Sequence, residues 1–198
     1  MKQIRLVSLA MLVLPAVLAA QQPAAAPAAP SKQPVVDAVK MSVADLEKDI
    51  QAAADTVPVS MLNYKPTTGQ LSFADIWNHL AGANYALCAA FGGTPAPAGA
   101  PNPFMPRDTT KTKADLVTAL KGSFAFCDAA LAKTDDSKLG DQLPMGPMSF
   151  SRARALLIYA MDLQDHYSQI SNYMRLNNML PPSAIRMQAM RGRGRGGN

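Results

Sequence analysis

The sequence predicts an all-α fold: a four-helix bundle with a long connection between its second and third helices. Three observations lead there. Four stretches repeat apolar residues at alternating steps of three and four, the period of one helix face. Strand signals are absent. Finally, about twenty Pro/Gly-rich residues around "GGTPAPAGAPNP" separate the second stretch from the third, far more than two antiparallel helices need between them.

The first helix is expected over 36–54, where Val39, Val43, Leu46, Ile50 and Ala53 form one stripe and Pro58 ends it. The second is expected over 72–91. Ser72 with Asp75 three residues on resembles a capping box, and Phe73, Ile76, Leu80, Ala83 and Leu87 carry the stripe. The third, over 112–133, repeats that start with Thr112 and Asp115 and buries Leu116, Leu120, Phe124, Cys127 and Leu131. The fourth, over 151–178, runs through Leu156, Tyr159, Leu163, His166, Ile170 and Tyr173 and stops at Pro181-Pro182. The stretch "TDDSKLGDQLPMGPM" between the last two reads as loop. Four such helices must bury their stripes against one another.

The ends have a different character. Residues 1–20 read as a secretory signal peptide: Lys2 and Arg5 precede the apolar run "LVSLAMLVLPAVL", and small residues follow it in "VLAAQ". That run is short for a membrane span, and no cysteine lies beside it to carry a lipid. An Ala/Pro-rich linker is expected over 21–34, the bundle over 35–184, and a disordered Arg/Gly-rich tail over 185–198. The charge of +5 is concentrated in these ends. Six of the 19 basic residues lie in the signal segment and the tail, and the remaining 13 face 14 acidic ones. The domain is thus close to neutral, which argues against specific nucleic-acid binding. Export places the protein in the periplasm or outside the cell, with no stable membrane anchor.

Export also bears on Cys88 and Cys127. An even count in an oxidising compartment favours a disulfide, while two buried free thiols are the alternative. Cys88 lies 16 residues after Ser72, and Cys127 lies 15 after Thr112. If the long connection crosses the bundle and leaves helices two and three parallel, the two cysteines share one height.

The chain has two histidines, His79 in "DIWNHLAGANY" and His166 in "MDLQDHYSQISNYM". Either alone is well read as a core residue with a satisfied hydrogen bond. Together they invite a second reading. Asp162 precedes His166 by four residues and shares its helix face, and a carboxylate in an apolar run needs a partner. A metal held by His79, Asp162 and His166 would satisfy all three, and helical bundles build such sites from facing helices. Asp165 is a weaker candidate because it points about 100° away around the helix. Gln169 is one turn beyond His166, where it could steady a ligand. The sequence does not place Tyr85, Tyr159 or Tyr167.

The stretches "LNYKPTTGQLSFADIWNHLAGANYALC", "LVTALKGSFAFCDAAL" and "MSFSRARALLIYAMDLQDHYSQISNYMRLNNMLPPS" resemble the DinB-like superfamily, which includes YfiT-type metal-binding four-helix bundles. The resemblance spans 36–183 and implies a bundle with a long connection between helices two and three. It also implies a metal set of three histidines, one from the second helix and an H-x-x-x-H pair from the last long helix. His79 and His166 match two of these positions, and Asp162 stands where the third histidine is expected. Two histidines and a carboxylate still form an open triad for zinc, nickel, manganese or iron. The resemblance further implies a metal-dependent hydrolase or a thiol-transferase-type enzyme. The competing reading is a non-catalytic helical binding module with a degenerate metal site. No Ser-His-Asp order, phosphate-binding Gly loop or CxxC motif points elsewhere. The small-molecule substrate is not named by the sequence, and a homodimer is left open.

The mature chain is expected to begin at Ala20 or Gln21. Intact-mass measurement of the exported protein checks this, and a mass that retains Met1 to Ala19 contradicts it.

Overall fold

The computed structural model describes residues 29–195. The proposed signal peptide, and the linker up to residue 28, lie outside the described residues. The four expected helices are present as α1 (Pro34–Thr56), α2 (Phe73–Gly92), α3 (Lys113–Ala132) and α4 (Arg152–Leu176). They are joined by a hairpin, β1 (Gln142–Met145) and β2 (Met148–Ser151), and followed by α5 (Pro182–Arg195).

Both capping boxes form. Ser72 accepts from the Asp75 amide while the Asp75 carboxylate accepts from the Ser72 amide, and Thr112 and Asp115 do the same at the start of α3. Each box satisfies two of the N–H groups that a helix start leaves unpaired. At the start of α1 the partner comes from afar: Asp136 accepts from the amides of Val35 and Val36.

The apolar stripes meet in one core. Val39, Val43 and Ile50 of α1, Phe73, Ile76 and Leu80 of α2, Leu116, Leu120 and Phe124 of α3, and Leu156, Leu163 and Ile170 of α4 are all buried. Helix α1 packs on α3 and α4, and α2 packs on the same two, so the order around the bundle is α1, α3, α2, α4. The pairings along the α2–α3 seam rise together: Asn84 bonds Ser123, Cys88 bonds Cys127, and Gly92 lies against Ala130. The offset stays at 38 or 39 residues, so these helices are parallel. Against α4, α2 runs the other way, with Phe73 packed on Tyr173 and Phe91 on Tyr159.

Two expectations are corrected. The stretch read as loop holds an antiparallel hairpin, with Met145 paired to Met148. Its two-residue turn is Gly146-Pro147. Gly146 has φ of 60°, and the Pro147 ring restricts the next residue to negative φ, the II′ combination that matches strand twist. The second correction concerns the tail, expected as disordered over 185–198. It is helical through Arg195. Composition suggested a frayed end, but Arg186 pairs with the buried Asp49 of α1, and the Ser183 amide donates to the Tyr167 hydroxyl. Among the described residues, no helix is long and apolar enough to cross a membrane.

Cys88 and Cys127 are joined by a disulfide with Cα atoms 5.1 Å apart. Closing a loop with a separation of 39 residues corresponds to about 4 kcal/mol of chain entropy. Denatured, unreduced protein should therefore show no free thiol, and Cys88→Ala with Cys127→Ala should lower stability by about 2–4 kcal/mol in urea melts. Two titratable thiols per chain contradict the bond.

Candidate metal centre

The site lies midway along the antiparallel seam of α2 and α4. Its first residue is set by the start of α2. Asp75, His79 and Gly82 follow one another at steps of four and three, so they share a helix face. The long α2–α3 connection runs along that face and is tied to each of them. The Arg107 guanidinium donates to Asp75 at 2.8 Å and also to Asn63. The carbonyl of Pro103 lies 3.0 Å from His79 Nδ1. At Gly82 the backbones meet: a Cβ there would lie 2.7 Å from the Pro101 carbonyl oxygen and 2.8 Å from the Pro103 nitrogen. Only glycine admits that approach.

These ties orient His79. With Nδ1–H donating to Pro103, Nε2 faces α4, where it lies 3.4 Å from Asp162 Oδ1. From the other side, His166 Nε2 lies 3.6 Å from the same oxygen. The imidazole centroids are 4.6 Å apart, and one ligand atom from each of the three residues falls within 4.8 Å of the others. Bonds of 2.0–2.2 Å to a tetrahedral ion put ligand atoms about 3.4 Å apart, close to the 3.4 and 3.6 Å edges here. The expected trio is thus brought together.

The three side chains differ in exposure. Those of His79 and Asp162 are each 23% exposed, whereas that of His166 is 9% exposed. The hydrogen bond to Asp162 raises the His79 pKa above its ordinary value, with burial opposing and the Pro103 carbonyl assisting. Burial lowers that of His166, with the Asp162 charge opposing. Asp162 Oδ2 and His166 Nδ1 are buried without a hydrogen-bond partner. Such atoms cost free energy unless something pairs with them, and a cation satisfies an orphaned carboxylate oxygen. The donor set therefore fits a divalent ion.

A cleft of about 740 Å³ opens from His79 and Asp162. Ala83, Ala86, Leu87 and Ala90 of α2 form one wall. Pro103 and Phe104 of the long connection, Met148 and Phe150 of the hairpin, and Ile158 of α4 complete it.

The other sequence candidates lie elsewhere. Gln169 donates to Asp165 on the outer face of α4. Tyr159 is in the core against Phe91, Tyr167 serves α5, and Tyr85 packs on Phe126. Sequence reading missed Gly82, Pro103, Phe104 and Arg107. A glycine inside "NHLAGANY" was the available signal, since mid-helix glycine costs stability unless a close approach requires it.

Fold and site together define a helical bundle with a two-histidine, one-carboxylate cluster at the head of an apolar cleft. The chain belongs to the DinB superfamily, whose sequence profile matches residues 43–170. Among solved structures it is similar to a DinB-like protein from Bacillus cereus, with a TM-score of 0.59 and 15% identity over 74% of this chain and 95% of the other. No curated protein matches the chain.

Gly82→Ala separates two effects of opposite sign. Helix propensity alone predicts stabilisation by about 1 kcal/mol. The close approach of Pro101 and Pro103 predicts destabilisation by about 1–3 kcal/mol. We expect the latter in urea melts, and a stabilised variant would show that the connection does not bear on α2.

Proposed function

We propose that the protein is an exported, metal-dependent enzyme of the hydrolase or thiol-transferase type, with His79, Asp162 and His166 as the metal ligands. The observation that carries this is the convergence of these three side chains, with an orphaned Asp162 oxygen, at the head of a cleft. Superfamily membership supports it, as does the expected role of the two histidines.

A divalent ion held there would supply a Lewis acid that makes a bound water or thiol nucleophilic near neutral pH. The chain's own residues prepare that position. Pro103 holds the His79 tautomer that leaves Nε2 free as a donor. Burial lowers the His166 pKa, which favours the neutral form that can ligate. Asp162 lowers the positive charge of the centre and bridges the two histidines. The apolar walls exclude water from whatever lies against the ligands. The Cys88–Cys127 disulfide supports the exported location.

A second reading, a non-catalytic ligand-binding module, draws on one observation. Among the described residues lining the cleft, His79 and Asp162 are the only titratable ones, so no further acid or base of these faces a substrate.

Protein purified without a histidine tag should carry close to one divalent ion per chain. His79→Ala and His166→Ala should each reduce its affinity by at least about 100-fold, and Asp162→His should preserve or tighten it. Elemental analysis and competition with a chelating dye measure both. Full metal content in either alanine variant would remove the assignment. Turnover screening with the bound metal separates the enzyme from the binding module.

A further inference from the structure

We propose that the cleft takes a small molecule with a single metal-ligating head and an uncharged apolar body, the body lying along α2 from His79 toward Ala90. This rests on the metal reading above and deepens it to a ligand class.

The lining decides the chemistry. Beyond His79 and Asp162 it offers alanines, prolines, Gly146, Leu87, Phe104, Met148, Phe150 and Ile158, and no lysine or arginine among the described residues. A ligand with several charged groups would leave them desolvated and unpaired, which is costly. One polar head at the ligand cluster and an apolar remainder match the wall on every side. The reach is considerable: the eleven steps from His79 to Ala90 in α2 span about 16 Å at 1.5 Å per residue. Small side chains at Ala83, Ala86 and Ala90 keep this wall low, and the hairpin supplies the facing one. The volume of about 740 Å³ lies within the range of sites that hold small organic ligands.

Phe104 points to the same occupant. It is 89% exposed, although its backbone is held by a turn in which its amide donates to the Asn102 side chain. It lines the cleft and also the adjoining depression beside Asp75 and Arg107. A large aromatic side chain exposed to water at the rim of a cleft, on a backbone held by that turn, is placed to cover an apolar body once one is bound.

The test uses the full chain and hydroxamates, whose head ligates zinc and whose substituent is varied. Zinc stoichiometry of wild type and Ala86→Trp is measured first. Calorimetry then compares acetohydroxamate, benzohydroxamate and phenylbutanohydroxamate. In the wild type the phenyl compounds should bind at least about 10-fold more tightly than acetohydroxamate. In Ala86→Trp, which fills the cleft away from the ligands, that preference should fall below about 3-fold while acetohydroxamate binding stays unchanged. A wild-type preference under about 2-fold, or a full preference in Ala86→Trp, overturns the proposal. If zinc does not bind, the metal reading fails separately. The cleft is then tested in the metal-free chain with N-phenylnaphthylamine fluorescence. Enhancement lost in both Ala86→Trp and Phe104→Ser upholds the apolar occupant, and no enhancement overturns it.

Discussion

The parallel pairing of α2 and α3 is the constraint from which the site follows. Two helices that are consecutive in sequence and parallel in space need a connection that travels the length of the bundle. Here the pairing is fixed by the Cys88–Cys127 disulfide and by the Asn84–Ser123 hydrogen bond, both in the same register. The returning chain has to cross one face of α2, and it crosses the face that carries His79. Arg107 at Asp75, Pro103 at His79 and the close approach at Gly82 are three contacts along that single path.

The site is therefore assembled by topology as much as by its ligands. Helices α2 and α4 bring the two histidines and Asp162 together through their antiparallel packing. The connection turns His79 so that Nε2 faces inward, and it places Phe104 at the rim. The hairpin, supported by its Gly146-Pro147 turn, closes the opposite side. An ordinary up-and-down bundle with short loops would keep the α2 wall but lack the sides of the cleft formed by the long connection and the hairpin.

Much of this was legible in the sequence. The stripes through Leu80, Leu120 and Leu163 named the core because burial selects one helix face and the period records it. Capping residues Ser72 and Thr112 marked helix starts because their bonds are local. His79, Asp162 and His166 were found because the two histidines both fall in bundle helices and Asp162 shares a helix face with His166, and the resemblance strengthened the set. What stayed hidden depends on contacts between distant segments. Nothing near Pro103 in sequence says that its carbonyl meets His79, 24 residues earlier. The hairpin was obscured by its prolines, since Pro144 breaks the usual strand composition, yet Gly146-Pro147 between two short apolar runs was a readable turn. Helix α5 depends on Asp49, 137 residues before Arg186, while its own Arg/Gly composition argues for disorder.

The proposed site holds one divalent ion between His79, Asp162 and His166 in their present arrangement. Anomalous diffraction from a zinc-loaded crystal, measured on both sides of the zinc edge, tests it most directly. One strong peak is expected about 2.0–2.2 Å from His79 Nε2, an Asp162 carboxylate oxygen and His166 Nε2. A peak elsewhere on the chain, or none at this cluster in protein shown to contain zinc, would contradict it.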